Sequence, residues 1–140
     1  MPFGPYDPEG HGIEEYRAHR VSVIVLLASD QECREKAKRD LRSLYQQGGL
    51  QVIHLPIPDF GVPSREALDD ALTQTLGHLH AGRNVAIHCS AGIGRTGTFA
   101  ACLARRALGL LGDEALIWIR RYIPKAVETP AQKELVRSYV

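Results

Sequence analysis

The stretch His88-Cys89-Ser90-Ala91-Gly92-Ile93-Gly94-Arg95-Thr96-Gly97 decides how the rest of this sequence is interpreted. An aliphatic run precedes it and a helix-like run follows it. A strand, a tight loop and a helix N-terminus in that order bring backbone N–H groups together around an anion. Gly92 and Gly94 allow the backbone to approach the anion closely, and Arg95 can bind two of its oxygens in a fork. The stretch therefore predicts a pocket for an oxyanion of phosphate size.

Cys89 gives this pocket a reactive group. A thiol that faces a helix N-terminus and a guanidinium has its pKa lowered from about 8.5 into a range of roughly 4–7. The resulting thiolate is a nucleophile beneath the bound anion, and Thr96 can donate a hydrogen bond to it. We interpret His88 as a structural residue that fixes the loop. A cysteine that only packs at the end of a strand is the alternative, and the surrounding residues of the stretch argue against it.

Composition sets limits on the class of protein. The 140 residues carry a net charge of +1 and are 44% hydrophobic, which is typical of one folded domain spanning residues 1–140. Neither a nucleic-acid partner nor a membrane segment is indicated. Three scattered cysteines do not form a disulfide framework or a zinc motif, so we expect a cytoplasmic protein without a bound metal. We also expect a monomer.

Periodicity predicts an α/β fold. Aliphatic runs at 21–27, 50–55 and 85–88 are typical of buried strands, and amphipathic segments alternate with them. The first 19 residues are rich in Gly and Pro and indicate a surface entry segment with one helical turn. We predict a central, mostly parallel sheet of four to five strands flanked by helices. The predicted helices cover about 30–47, 64–80, 96–111, 113–123 and 130–140.

The segment His88 to Phe99, HCSAGIGRTGTF, resembles the signature of the cysteine-dependent protein tyrosine phosphatases. The short chain resembles the small atypical dual-specificity branch of that superfamily. The resemblance implies its fold and a phosphoester hydrolysis that uses a cysteinyl-phosphate intermediate and neither metal nor cofactor. Phosphate, sulfate or vanadate would then occupy the loop. The residues implied to bind the phosphoryl group are Ser90, Ala91, Gly92, Ile93, Gly94 and Arg95, beside the catalytic Cys89, Arg95 and Thr96.

The resemblance also implies an acid for the leaving oxygen, on a loop about 30 residues before the cysteine. Asp59 lies 30 residues before Cys89, in a loop with three prolines, and Ile57 stands where many relatives have tryptophan. A turn-forming role is the alternative for this aspartate. Asp69 and Asp70 are weaker candidates because they fall on a predicted helix.

Other residues remain open to two interpretations. Gln132 resembles the glutamine that orients the hydrolytic water in related phosphatases, yet Thr129 and Gln132 also have the spacing of a capping box. We interpret Cys33 and Cys102 as packing residues, although a protective disulfide to Cys89 is an alternative. The basic residues between 34 and 42 are mixed with acids and indicate a solvated helix face.

The variable loop residues Ser90, Ala91 and Ile93 are neutral, which favours a group with one phosphate over a polyphosphorylated one. We therefore predict a protein phosphatase of dual-specificity type that prefers phosphotyrosine in phosphorylated protein substrates. A phosphatase for phosphoinositide, inositol or RNA 5′-phosphate substrates is the second hypothesis. A silent phosphotyrosine-binding module is the third, and the presence of Cys89 with Asp59 argues against it.

Overall fold

The computed structural model describes residues 1–140, and the class of fold is the predicted one. Seven helices alternate with three parallel strands in the sheet order β2-β1-β3. None of the helices combines the length and apolarity that a bilayer crossing requires. The elements are α1 (Gly12–Ala18), β1 (Val21–Leu26), α2 (Asp30–Ala37), α3 (Leu41–Gln47), β2 (Gln51–His54), α4 (Arg65–His80), β3 (Asn84–His88), α5 (Gly94–Leu108), α6 (Gly112–Arg120) and α7 (Pro130–Ser138).

The sheet has three strands, so the predicted count of four to five was wrong. The three strands coincide with the three aliphatic runs of the sequence. Two other segments, the turns of 1–10 and the loop 56–63, are rich in proline, which cannot donate to a strand ladder. Everything after α5 is helix or turn.

Strand β1 lies in the centre of the sheet, and its side chains point alternately into the two apolar clusters of the core. Val23 and Val25 face the larger apolar cluster, which includes residues of α4, α5, α6 and α7. Ile24 and Leu26 face a smaller cluster beneath α2 and α3. Because both faces of β1 are covered, its sequence is continuously aliphatic rather than alternating.

The predicted helix over 30–47 is two helices. Lys38 has left-handed backbone angles, with φ of 55°, and closes α2. The carboxylate of Asp40 then accepts a hydrogen bond from the Ser43 N–H at 3.2 Å and begins α3. Cys33 and Ala37 of α2 and Leu41 and Tyr45 of α3 are all buried in the smaller apolar cluster.

The stretch Thr96 to Leu103 is apolar nearly all round, which predicts a helix in the centre of the fold, and α5 is the helix with the most buried residues. Nine of its residues are buried, including Phe99, Ala101 and Cys102. It begins at Gly94, two residues earlier than predicted, so that Arg95 and Thr96 lie in its first turn. The helix axis therefore starts at the loop that follows β3.

Candidate active site

The loop between β3 and α5 lies at the carboxyl end of the parallel sheet, where open α/β folds bind ligands. The carbonyl of His88 accepts from the Leu27 N–H at 2.9 Å, which fixes the last residue of β3 against the end of β1. Gly92 has φ of 78°, a conformation that favours glycine. The segment that the sequence predicts as an anion pocket is thus a tight loop between β3 and α5.

Cys89 lies at the bottom of this loop and is only 3% exposed. Burial raises the pKa of its thiol. Hydrogen bonds from the Thr96 hydroxyl and from the Thr96 and Gly92 N–H groups, together with the charge of Arg95, lower the pKa by more than burial raises it. The pKa of Cys89 therefore lies below its ordinary value. The Thr96 hydroxyl donates to the sulfur at 3.1 Å, as the sequence predicts.

Arg95 is buried and makes an ion pair that the sequence reasoning missed. Its Nη1 and Nη2 donate to the two carboxylate oxygens of Glu32 at 2.7 and 2.8 Å, and Nη1 also donates to the Ile57 carbonyl at 2.9 Å. Bonding to Arg95 lowers the pKa of Glu32 to about 2. Three of the five guanidinium N–H donors are used, so those left on Nε and Nη2 can fork onto two oxygens.

Ser29 and Glu32 have the spacing that predicts a capping box at the start of α2, and only half of that motif forms. The Ser29 hydroxyl accepts from the Glu32 N–H at 3.1 Å, but the Glu32 carboxylate turns to Arg95 instead. The strand order explains this contact. Because β1 and β3 are adjacent parallel strands, the first turn of α2 lies near the loop after β3, and the residue pattern alone does not give this adjacency.

Asp59 reaches the same pocket from the proline-rich loop. Its carboxylate lies 3.4 Å from Nη2 of Arg95 and 4.0 Å from Nζ of Lys36, and it accepts from the Phe60 N–H at 3.0 Å. Lys36 was interpreted as part of a solvated helix face, whereas it lines this pocket. It also donates to Glu32 at 2.8 Å.

The weaker acid candidates lie elsewhere. Asp69 accepts from the Tyr139 hydroxyl at 2.6 Å, and Asp70 accepts from Gln74 at 2.9 Å on the exposed face of α4. Neither lines the cavity that contains Cys89. The structure thus brings Asp59 to Cys89 and Arg95 and leaves the other two aspartates apart.

His88 is held between two neighbours. Its Nδ1 is 2.9 Å from the Cys89 carbonyl and its Nε2 is 2.8 Å from the Tyr45 hydroxyl. A carbonyl can only accept, so Nδ1 carries the proton and Nε2 accepts from Tyr45. Burial lowers the pKa of His88 to about 4. The imidazole is therefore neutral at pH 7, which agrees with the predicted structural role.

Gln132 is fully buried and forms the capping box with Thr129. Its Oε1 accepts from the Glu128 N–H at 2.9 Å and the Thr129 N–H at 3.3 Å. Its Nε2 donates to the Gly61 carbonyl at 3.1 Å, two residues after Asp59. The capping interpretation is confirmed, and the same side chain joins α7 to the loop that carries Asp59.

The three cysteines are all free, and Cys33 and Cys102 are buried. Burial raises the pKa of Cys33 to about 11 and that of Cys102 to about 12, so both are thiols at neutral pH. They pack on opposite faces of the sheet, in the two apolar clusters. No three His, Cys, Asp or Glu side chains gather closely enough to hold a metal ion.

The N-terminal segment takes part in the site, contrary to its interpretation as a surface entry. Met1 is 8% exposed, and its amino group donates to the Ser90 carbonyl at 2.6 Å. Tyr6 lies at the mouth of a cavity of about 190 Å³ above Cys89. The cavity is lined by Tyr6, Lys36, Asp59, Phe60, Cys89, Ser90, Ala91, Ile93, Gly94, Arg95 and Glu128.

The cavity thus combines the buried thiol of Cys89, whose pKa is lowered, with the guanidinium of Arg95 and the carboxylate of Asp59. This combination is typical of the class of cysteine-based phosphatases. The chain matches the family model "Polymorphic toxin system, DSP-PTPase phosphatase" over residues 6–107 and belongs to that family. This family lies within the small dual-specificity type of the protein tyrosine phosphatase superfamily, as the signature indicated.

Known relatives agree with this assignment. A protein tyrosine phosphatase domain-containing protein 1 from Bos taurus is 30% identical over 135 residues, which is 91% of this chain and 17% of that protein. The chain thus spans about a sixth of that relative's length. The crystal structure of Tk-PTP in its active form has a TM-score of 0.79 and 34% identity, over 89% of this chain and 82% of that one. Kinase-associated phosphatase shares the fold, with a TM-score of 0.88 and 23% identity over 99% of this chain and 82% of that one.

Proposed function

We propose that this protein hydrolyses phosphomonoesters through a cysteinyl-phosphate intermediate, with phosphotyrosine in proteins as its preferred substrate and phosphoserine or phosphothreonine as poorer ones. The observation that carries the proposal is the cavity itself. It has a thiol of lowered pKa at the bottom, free Arg95 donors at the side and two aromatic rings at the mouth. Tyr6 and Phe60 are 69% and 60% exposed, so they can flank an aromatic leaving group.

In the first step the Cys89 thiolate attacks phosphorus, the S–P bond forms and the P–O bond to the substrate breaks. Arg95 and the loop N–H groups bind the phosphoryl oxygens, whose charge they stabilise in the transition state. Asp59 gives its proton to the leaving oxygen. Its place in the lining of the cavity that contains Cys89 supports this role.

In the second step water attacks phosphorus and the S–P bond breaks. Asp59, now a carboxylate, accepts a proton from the water, and phosphate leaves. The hydrogen bond from Thr96 stabilises the departing thiolate. Gln132 does not line the cavity, so its proposed influence on this step is exerted through the Asp59 loop that it holds.

A nucleophile assay tests the reaction class. The protein is expected to hydrolyse para-nitrophenyl phosphate in EDTA, to be inhibited by vanadate and to lose activity in Cys89→Ser. Cys102→Ala is the control, because it removes another buried thiol without touching the cavity. Turnover by Cys89→Ser at the wild-type rate would refute the mechanism.

A second pair of variants tests the acid. Asp59→Asn should lower kcat by roughly 10²–10⁴-fold on a substrate with a poor leaving group, whereas Asp70→Asn on the exposed face of α4 should not. Substrate class is then read from initial rates on phosphotyrosine, phosphoserine and phosphothreonine peptides, phosphoinositides, inositol phosphates and RNA with a 5′-phosphate. Faster turnover of a lipid or RNA than of every peptide would contradict the proposed preference.

A further inference from the structure

The segment that precedes α7 brings an acidic side chain to the mouth of the cavity. Val127 has φ of 63°, which is costly for a β-branched residue, and it is buried. Arg120 holds this backbone by donating to the carbonyls of Ala126 at 3.0 Å and Val127 at 3.2 Å. Gln132 holds the next residue, Glu128, through its N–H. The position of Glu128 is therefore fixed from both sides.

The Glu128 carboxylate lies against the first residue of α5. A methyl group on Gly94 would overlap Oε1 of Glu128, so the carboxylate lies directly beside the backbone of Gly94. Glu128 lines the cavity above Cys89, yet its side chain is exposed and forms no ion pair. Its charge is thus available to whatever enters beside the phosphate.

The other charges around the cavity are already matched. Arg95 is paired with Glu32, and Lys36 bonds to Glu32 and lies near Asp59. Only the remaining donors of Arg95 and the loop N–H groups face the phosphoryl group. Among the residues that line the cavity, Glu128 is the one carboxylate without an ion pair.

We infer that Glu128 is a specificity-determining residue that favours phosphotyrosine peptides with lysine or arginine beside the phosphorylated residue. An acidic neighbour or a second phosphate would meet an uncompensated carboxylate at the mouth. This inference rests on the proposed function, because it concerns the substrate of the same site. The inference adds to the proposed function the charge of the residue next to the phosphotyrosine.

The test compares kcat/KM for two phosphotyrosine peptides that differ only in carrying lysine or glutamate next to the phosphotyrosine. One charge pair at a solvated mouth changes the ratio of the two values by about three- to tenfold in favour of lysine. Glu128→Gln should bring the ratio close to one, and Glu128→Lys should invert it. Glu134→Gln, on the exposed face of α7, is the matched control and should keep the wild-type ratio.

Ionic strength gives a second readout. The wild-type preference should shrink as salt rises, because exposed charges are screened, while the ratio for Glu128→Gln should stay flat. An unchanged ratio in Glu128→Gln, with both peptides hydrolysed, would overturn the role of Glu128 and leave the proposed function intact. Hydrolysis of para-nitrophenyl phosphate without hydrolysis of either peptide would instead overturn the peptide substrate and this inference together.

Discussion

The hydrogen bond between Tyr45 and His88 allows a sharp test of how the catalytic loop is supported. Tyr45→Phe removes one oxygen and leaves the ring in place. The Tyr45 side chain is fully buried and His88 is 6% exposed, so Nε2 of His88 would lose its donor without gaining water. An unsatisfied buried acceptor costs about 1–3 kcal/mol of unfolding free energy.

For a chain of this size that loss corresponds to a fall in Tm of roughly 3–10 °C. Urea unfolding followed by tryptophan fluorescence measures the free energy, and calorimetry measures Tm. Tyr122→Phe is the control, because the Tyr122 ring is 68% exposed and its hydroxyl makes no hydrogen bond within the protein. If Tyr45→Phe and Tyr122→Phe unfolded at the same urea concentration, the assigned tautomer and support of His88 would be refuted.

Two further predictions concern the charges of the site. Thr96→Val removes a hydrogen bond that lowers the pKa of Cys89 against the effect of burial, so the acidic limb of the pH profile of kcat/KM should move to higher pH; an unmoved limb would contradict the role of the Thr96 hydroxyl. Glu32 has its pKa lowered from 4.5 to about 2 by Arg95, so it stabilises the fold above pH 4.5 and loses this effect as pH falls to 2. Urea titrations should therefore show a steeper loss of stability between pH 4.5 and 2 in wild type than in Glu32→Gln, and parallel curves would contradict the pairing.

Local features of the site could be predicted from the sequence. The conformation of the loop from His88 to Thr96 depends on neighbouring residues, because its glycines and the start of α5 act through short-range backbone preferences. The conformation of the proline-rich loop that carries Asp59 depends in the same way on residues close in the sequence. Cys89, Arg95 and Asp59 line one cavity, and their catalytic roles stay predictions.

Contacts between distant parts of the chain could not be predicted in the same way. Glu32 and Arg95 are 63 residues apart, and Tyr45 and His88 are 43 apart. Each pair depends on the strand order β2-β1-β3, which places α2 and α3 beside the loop after β3. Residue patterns alone indicate that a strand is buried, and they do not say which helix covers it.

Glu32 resolves a conflict that the site would otherwise contain. A buried guanidinium without a partner is strongly destabilising, yet a partner that used the phosphate-binding donors would compete with substrate. The Glu32 carboxylate accepts from the outer edge of the Arg95 guanidinium, which is formed by Nη1 and Nη2. Nε and the remaining hydrogen of Nη2 lie on the adjacent edge of the same guanidinium. The carboxylate can therefore stay in place when phosphate binds. In the proposed reaction, Arg95 is therefore charged, oriented and desolvated before substrate binds, so little reorganisation is left for the transition state.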